Sequence, residues 1–337
     1  MSWRMNTYIL GRFLLLLRSA RGALTRSVGI GFFLTLGLTF NSIGAPPPEF
    51  SWRQMPPLPD PNGFASPLVG VSGDVLLLAG GANFPGKQLW EGGVKKWHDR
   101  VFALTAGSTE WKLAGKLPAP LAYAVSVSTP EGVLCAGGSD AQKHSAAVFF
   151  MQHRNGRVTF KTLPSLPKTV SMGAGTLAGN VVYFAGGLET AESKQAMVVF
   201  FALDLKNPAA GWRTLPSWPG PGRLHAVAAT AGGNFYLFSG VRYEPKTGGG
   251  FEMVYLRDAY RYSPATAWER LPDMPYPALA AASPAPFAGD MFFLIGGWDG
   301  ASSGSPPQEF KLVPQRIQAY STKANSWSEV GNAPVGR

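Results

Sequence analysis

Cysteine and histidine are scarce in this sequence of 337 residues, which contains one cysteine and four histidines. A single cysteine, Cys135, excludes an internal disulfide framework and any zinc or iron–sulfur site built from several cysteines. It lies in an apolar segment, where a buried thiol behaves as a small hydrophobic side chain. A copper radical centre needs a Tyr–Cys pair and two histidine ligands, whereas the four histidines are scattered along the chain. We therefore predict no metal site.

Charged residues make up only 15% of the chain, and the formal net charge is +10. Half of this excess comes from five arginines within residues 1–45, a segment without lysine or acidic residues. The remainder carries 25 Lys and Arg residues against 20 Asp and Glu residues, with no dense basic cluster among aromatic side chains. Nucleic-acid-binding surfaces have such clusters, so we predict no nucleic-acid partner.

The N-terminal segment has a short apolar run, from Val28 to Phe40. Its length is below the ~20 residues that a helix needs to cross a bilayer. The run follows the five arginines and precedes small residues and three prolines, which is the order of a secretory signal peptide. We predict an export leader over residues 1–45, cleaved near Gly44 or Ala45, and a periplasmic or secreted protein without stable membrane insertion. A membrane-anchored protein that retains the leader is the alternative.

One sequence pattern recurs along the rest of the chain at intervals of 49 to 59 residues. It consists of an aromatic residue, two further residues, an apolar residue and, a few positions later, a proline. The six aromatic positions are Trp52, Trp111, Phe160, Trp212, Trp268 and Trp327. Between them lie apolar segments that end in Gly-Gly or Ser-Gly, at 75–81, 133–138, 181–187, 235–240 and 291–297. This pattern indicates that the chain is built from repeats.

Each repeat has room for four short strands, which is the size of a propeller blade. Radial stacking of blades buries both faces of each sheet. Glycine doublets supply positive φ angles and let neighbouring backbone approach, and we expect each Trp to hold its outer strand against the next blade. The order of Gly-Gly, Tyr and Trp resembles the Kelch repeat. The resemblance implies an all-β, Kelch-type β-propeller over residues 46–337, with units ending near Trp111, Phe160, Trp212, Trp268 and Trp327.

The first Trp unit, residues 51–59, has no glycine doublet of its own. We interpret Trp52 as part of the outermost strand of a closing blade, whose inner strands come from the other end of the chain in a closed ring. Five complete units and this strand are present, so we expect the sixth blade to be incomplete in this sequence. A five-bladed ring with frayed ends is the alternative.

A long loop in the first complete unit, residues 80–99, is the strongest departure from the repeat. Trp90 and Trp97 can stack on a sugar face, and Asn83 can hydrogen bond to hydroxyl groups. Glu91, His98 and Asp99 are candidate proton-transferring groups, and the sequence does not rank them. The structural alternatives are a hydrogen bond from His98 to a backbone carbonyl and capping of the following strand by Asp99. Such rim loops surround the central channel, where propellers bind ligands.

Three elements of this loop resemble the sialic acid mutarotases (N-acetylneuraminate epimerases), in particular their circularly permuted members. They are Gly-Gly-Ala-Asn-Phe-Pro at 80–85, Gly-Gly-Val-Lys-Lys at 92–96 and Trp-His-Asp at 97–99. The resemblance implies an exported, six-bladed propeller that interconverts the α and β anomers of N-acetylneuraminate by acid–base catalysis, with no metal or organic cofactor. It adds Phe84 and Lys95 to the candidate substrate-binding residues.

The family's Gly-Glu-x-x-Pro-Gly-x-Arg element, a source of an acid–base glutamate and a carboxylate-binding arginine, does not occur in this sequence. Arg223 and Arg242 are the remaining candidates for a guanidinium that holds a substrate carboxylate. For each of them, the structural alternative is a solvated arginine or one that forms an inter-blade ion pair. A hydrolytic sialidase is disfavoured because its Ser-x-Asp-x-Gly-x-x-Trp turn is absent. A non-catalytic Kelch module that binds a glycan or a protein is the alternative function, and the oligomeric state is not predicted.

Overall fold

The computed structural model describes residues 49–301 and 314–336, and these residues form almost only β-structure. Two one-turn 3-10 helices, Leu89–Glu91 and Pro208–Ala210, are the exceptions within those ranges. No helix in this part of the chain is long and apolar enough to cross a membrane. The leader predicted over residues 1–45 lies outside the described residues.

The strands are short, and most have five residues. In chain order they are β1 (Leu68–Ser72), β2 (Val75–Ala79), β3 (Ala82–Asn83), β4 (Lys96–Trp97), β5 (Arg100–Thr105), β6 (Lys112–Lys116), β7 (Val125–Thr129), β8 (Gly132–Ala136), β9 (Val148–Arg154), β10 (Arg157–Leu163), β11 (Ala174–Ala178), β12 (Val181–Ala185), β13 (Phe200–Asp204), β14 (Arg213–Thr214), β15 (Val227–Ala231), β16 (Asn234–Phe238), β17 (Val241–Pro245), β18 (Phe251–Tyr255), β19 (Ala259–Ser263), β20 (Ala267–Leu271), β21 (Phe287–Ala288), β22 (Met291–Ile295), β23 (Arg316–Ser321) and β24 (Ser326–Asn332).

These strands form five antiparallel four-stranded sheets within the described residues. Blade 1 contains β1, β2, β5 and β6, and blade 2 contains β7 to β10. Blade 3 contains β11 to β14, blade 4 contains β15, β16, β19 and β20, and blade 5 contains β21 to β24. Two-stranded ribbons, β3–β4 and β17–β18, extend from blades 1 and 4. The first strand of each blade lies beside the first strand of the next, so these strands surround a common axis. The prediction of a β-propeller with four strands per repeat is confirmed.

Most of the hydrophobic core of the described residues lies between neighbouring blades. Leu134 and Phe150 of blade 2, for example, pack with Val182 and Phe201 of blade 3. Comparable clusters join blades 1 and 2, 3 and 4, and 4 and 5. Full burial of one large apolar side chain stabilises a fold by about 1.5–3 kcal/mol. Each blade therefore depends on its neighbours for most of its apolar burial.

The glycine doublets join each blade to the next at the end of its second strand. Gly137 has a φ of +70°, and a Cβ atom there would lie only 2.4 Å from the carbonyl oxygen of Val170. The N–H of Gly138 donates to that same oxygen at 2.8 Å. The doublet thus combines a left-handed backbone with an inter-blade hydrogen bond, and both roles predicted for it are confirmed.

The repeated Trp residues are tied to the preceding repeat. The indole N–H of Trp268 donates to the carbonyl oxygen of Pro216 at 2.7 Å. Equivalent bonds run from Trp111 to Pro56, from Trp212 to Pro164 and from Trp327 to Pro272. Each acceptor lies four residues after the previous aromatic position. The prediction that each Trp contacts the following blade is therefore wrong, because its indole binds the preceding repeat.

The segment around Trp52 joins the two ends of the described chain. Phe50 packs edge-to-face on Phe293 of blade 5, with ring centroids 5.4 Å apart, and Trp52 packs on the same cluster. A few residues later, Pro56 accepts the hydrogen bond from Trp111 of blade 1. The segment forms no strand, in contrast to the prediction, because no described strand lies beside it to pair with. It lies between blades 5 and 1.

Candidate functional site

Five residues at equivalent positions form an arc around the axis, just before the first strand of each blade. All have left-handed backbone conformations, with φ between 47° and 61°, and they are Ser66, Tyr123, Met172, His225 and Ala280. From Tyr123 onward, the backbone N–H of each member donates to the carbonyl oxygen of the previous one, at 2.8 to 3.0 Å. We call this arrangement the channel arc. It fixes five side chains around one mouth of the channel.

Two members of the channel arc meet across the channel. The rings of Tyr123 and His225 lie edge-to-face with centroids 6.1 Å apart. Tyr123 belongs to blade 2 and His225 to blade 4, so blade 3 lies between them in the order of the sheets. Side chains of alternate blades can meet only at the axis, and the contact therefore marks the mouth of the channel as a place where polar side chains converge.

Lys95 reaches this pair from the long loop of blade 1. Its ammonium donates a hydrogen bond to the hydroxyl oxygen of Tyr123. It also lies over two aromatic rings, 4.4 Å from the ring centroid of Tyr123 and 4.8 Å from that of Trp97. Such contacts stabilise a cation by about 0.5–2 kcal/mol. Among the described residues no carboxylate oxygen lies within 4 Å of this ammonium.

The glycines before Lys95 account for this placement. Gly92 ends the 3-10 helix Leu89–Glu91 in a left-handed conformation, with a φ of 80°. The N–H of Gly93 donates to the carbonyl oxygen of Gln88 at 2.8 Å, and a Cβ atom on Gly93 would lie 2.0 Å from the carbonyl oxygen of Lys87. Only glycine fits this turn. The Gly-Gly-Val-Lys-Lys run thereby folds back so that Lys95 enters the channel mouth.

A cleft of about 690 Å³ lies beside Lys95, between the loop of blade 1 and a loop of blade 2. Its walls are residues 85–87, 92–97, Pro120 and 140–142. Three lysines and one aspartate line it, so its charge is positive. The indole nitrogen of Trp97 is buried in this wall without an acceptor in the described part of the chain. Volume and charge suit a small anionic molecule.

Burial of His225 keeps its imidazole neutral. Burial, together with the positive charge of Lys95, lowers the pKa of His225 to about 4. Desolvation disfavours the charged imidazolium, and a nearby cation disfavours it further. At neutral pH the ring therefore offers one N–H donor and one nitrogen acceptor. Such a group can accept a proton from a bound molecule.

The structure places His98 and Asn83 together below the loop, away from solvent. Nε2 of His98 lies 2.8 Å from Oδ1 of Asn83, and Nδ2 of Asn83 donates to the carbonyl oxygen of Gly63 at 2.8 Å. The ring of His98 also packs edge-to-face on Phe64. Because the amide oxygen accepts, Nε2 of His98 is the protonated nitrogen. Burial lowers the pKa of His98, and the pair holds the ribbon β3–β4 on blade 1.

Other loop candidates lie away from the channel mouth. Glu91 is exposed and accepts a hydrogen bond at 2.9 Å from the backbone N–H of Gln88, which closes the 3-10 turn. Trp90, in the same turn, is 40% exposed. Phe84 is half-buried. The carboxylate of Asp99 forms an ion pair with Lys116 of the outer strand, with an N–O distance of 3.3 Å.

The two candidate arginines are both paired within blade 4. Arg223 is fully buried, and its guanidinium donates to both carboxylate oxygens of Asp258, at 2.9 and 2.7 Å. Arg242 is half-exposed on the ribbon β17–β18, where it pairs with Glu244. Both arginines are thus ion-paired, but within blade 4 rather than between blades. Of the ten candidates, the structure brings only Lys95 and Trp97 to the channel mouth.

Tyr123 and His225 were missed because no local motif surrounds them. The repeat itself carried a usable signal: Ser66, Tyr123, Met172 and His225 each lie fourteen residues before the first residue of their doublet, at 80, 137, 186 and 239. Alignment on the doublets would have shown that this position is chemically different in every blade. A position that varies in side chain while its backbone is fixed is typical of a binding surface.

Comparison with known proteins agrees with this architecture. The solved structure of YjhT superposes with a TM-score of 0.67, covering 83% of this chain and 88% of that one at 12% sequence identity. At that identity the match shows the shared fold. Within the described residues, the five sheets of this chain thus have a counterpart in a known structure.

Sequence comparisons are more specific. An N-acetylneuraminate epimerase from Haemophilus influenzae is 36% identical over 138 residues, which is 41% of this chain and 34% of that protein. One from Yersinia enterocolitica is 40% identical over 105 residues, or 27% of this chain and 26% of the relative. The matched segments thus span about a third or less of these curated relatives. The family model for N-acetylneuraminate epimerase matches residues 41–160 and 163–305. The chain belongs to the N-acetylneuraminate epimerase family.

Proposed function

We propose that this protein interconverts the α and β anomers of N-acetylneuraminate at the mouth of its propeller channel. The observation that carries the proposal is the placement of Lys95. This lysine belongs to the Gly-Gly-Val-Lys-Lys run, and its ammonium lies over the rings of Trp97 and Tyr123. It also lies beside a positively charged cleft, and it has no carboxylate partner among the described residues. The substrate has a carboxylate bonded directly to its anomeric carbon. A cation that binds this carboxylate therefore also brings the anomeric carbon to the channel mouth.

The cleft supplies the remaining contacts that a sugar acid needs. Trp97 offers a partly exposed aromatic face beside Lys95, and aromatic faces bind the apolar side of a sugar ring. Lys87 and Lys96 add positive charge to the same wall. This assignment moves carboxylate recognition from the predicted arginines to Lys95, because both guanidinium groups are already paired with carboxylates.

The test measures exchange between the two anomers by NMR, starting from freshly dissolved α-N-acetylneuraminate. We expect the protein to accelerate equilibration, and Lys95→Met to raise KM at least 10-fold. Lys112→Met is the matched control, because it removes the same charge from an exposed position of blade 1 that lies outside the cleft. Saturable binding without any acceleration would instead support the alternative, a sugar-binding module. No binding and no acceleration would overturn the proposal.

We also propose that the protein acts after export, which rests on the Arg-rich and apolar order of residues 1–45. Mass spectrometry of the N-terminus of protein recovered from the periplasm or medium tests this. A mature N-terminus near residue 45 is expected, and an intact N-terminus in the membrane fraction would contradict it.

A further inference from the structure

Tyr123 and His225 are polar groups at the channel mouth that carbohydrate binding by Lys95 does not use. They come from blades 2 and 4, outside the loop that carries the family motifs. Their ring centroids are 6.1 Å apart, with an interplanar angle of 66°. The ring of a bound sugar acid, held by its carboxylate at Lys95, would lie against both side chains.

The backbone holds both residues rigidly. Each has a positive φ, 61° for Tyr123 and 54° for His225, which costs a non-glycine residue roughly 1–2 kcal/mol. Hydrogen bonds on both sides compensate: Tyr123 donates to Ser66 and accepts from Met172, and His225 donates to Met172 and accepts from Ala280. Strained residues held in this way cluster at functional sites.

The hydrogen bond from Lys95 determines what the hydroxyl of Tyr123 can do. An ammonium only donates, so the phenol oxygen must accept. The proton of Tyr123 is therefore free to be given to another group. After the proton has left, the same ammonium can still donate its hydrogen bond to the phenolate oxygen.

His225 can accept a proton, whereas Tyr123 can donate one. Its pKa of about 4 leaves the imidazole neutral at physiological pH, with one nitrogen lone pair available. Among the residues that the structure describes, Lys95 and Tyr123 are the titratable groups that face it. A neutral imidazole next to a proton-donating phenol forms an acid–base pair across the channel.

We infer that Tyr123 and His225 are the proton-transferring residues that open and close the sugar ring, an inference that rests on the proposed function. His225 takes the proton of the hydroxyl on C2, and the electrons of that O–H bond form the C2 carbonyl. The bond between C2 and the ring oxygen breaks, and its electron pair takes the proton of Tyr123. The phenolate oxygen accepts the hydrogen bond of Lys95. Closure on the other face of the carbonyl returns both protons, so no oxidant or co-reactant is required.

Two conservative variants test the assignment. Tyr123→Phe keeps the ring and removes the hydroxyl, and His225→Asn keeps a residue type that tolerates positive φ. We expect each to lower kcat about 100-fold, as expected for loss of a positioned acid or base, while the Kd for N-acetylneuraminate changes less than about 3-fold. Tyr243→Phe and His153→Asn, outside the channel arc, are the matched controls and should keep the wild-type rate.

A second measurement uses the wild-type protein and does not depend on the folding of any variant. NMR titration of the His225 ring should give a midpoint near 4, and kcat/KM should fall with the same midpoint as the pH is lowered. Mismatched midpoints, or variants with undiminished kcat, would overturn the roles of Tyr123 and His225 while the proposed function stands. A wild-type protein that does not accelerate anomer exchange would instead remove the proposed function, and this inference with it.

Discussion

The guanidinium of Arg223 is enclosed on every side by blade 4 and its neighbours. Asp258 binds it through two oxygens, Trp218 and Tyr260 face it with centroids 5.4 and 5.3 Å away, and the carbonyl of Ser239 accepts a third hydrogen bond. Burial, with the hydrogen bond to Asp258, raises the pKa of Tyr260 to about 12, so the phenol stays protonated beside the carboxylate. At the scale of one residue, a predicted ligand-binding arginine is thus an internal ion pair.

Removal of this guanidinium should destabilise the protein without affecting the proposed binding of N-acetylneuraminate. Arg223→Met leaves the carboxylate of Asp258 buried without its cation, and breaking a buried pair in this way costs about 3–5 kcal/mol. Urea unfolding measures the loss. Arg261→Met, which breaks the exposed pair with Glu269, should cost no more than about 1 kcal/mol. A large loss of affinity for N-acetylneuraminate with unchanged stability would contradict this prediction and would show that Arg223 binds the ligand.

At the scale of the element, the glycine doublet marks the place where one blade meets the next. The first glycine of several doublets lies against a backbone carbonyl of the following repeat: Gly80 against Leu121, Gly137 against Val170 and Gly186 against Arg223. In blade 4 a serine takes the first position, and its hydroxyl accepts from the N–H of Ala278 and donates to the carbonyl of Leu256. In blade 4 the hydrogen bond from Ala278 to the Ser239 hydroxyl thus replaces the inter-blade backbone bond that the doublets of blades 1 to 3 form.

Gly137→Ala should separate steric contact from backbone strain. The new methyl group would have to occupy space 2.4 Å from the carbonyl oxygen of Val170, in addition to the cost of a φ of +70°. Gly156→Ala has a similar φ, +77°, with nothing within 4 Å of its Cβ. We expect Gly156→Ala to cost about 1–2 kcal/mol and Gly137→Ala to cost about 1–3 kcal/mol more, measured by denaturant unfolding. Equal losses would show that the close approach does not matter.

The strands and turns could be predicted from the sequence because the residue pattern that specifies them recurs in every repeat. Five apolar segments with a glycine at the end, and an aromatic residue some distance later, specify strands, turns and inter-blade contacts through local chemistry. The site depends on a different kind of information. Lys95 was found because its loop has a contiguous motif, whereas Tyr123 and His225 become neighbours only when blades 2, 3 and 4 curve around the axis. No spacing within one repeat encodes that contact.

At the scale of the whole molecule, the indole hydrogen bonds connect the repeats in series. Each links a Trp of one unit to the proline carbonyl of the unit before, from Pro56 through to Trp327. Phe160 interrupts the series, since it has no N–H to donate. Phe160 instead packs edge-to-face on Phe149 of the same blade, with ring centroids 5.8 Å apart, and both rings lie against the apolar cluster between blades 1 and 2.

Loss of one indole bond should lower the stability of the whole propeller rather than of one blade. Trp268→Phe removes the donor to Pro216 and keeps an aromatic ring, so we expect a loss of about 1 kcal/mol. Trp90→Phe, at an exposed site, is the control and should leave the unfolding midpoint unchanged. A single cooperative transition, shifted equally by tryptophan fluorescence and circular dichroism, is expected. Two separate transitions would mean that the blades unfold independently.

The channel arc has a consequence for how this protein can be modified. Its hydrogen bonds use only backbone atoms, so serine, tyrosine, methionine, histidine and alanine occupy the same backbone geometry in successive blades. The scaffold does not depend on which side chain projects from each position. Combinatorial substitution at Ser66, Met172 and Ala280, with Tyr123 and His225 kept, is therefore a direct route to new ligand specificities, since the side chains at the channel mouth change while the backbone geometry does not.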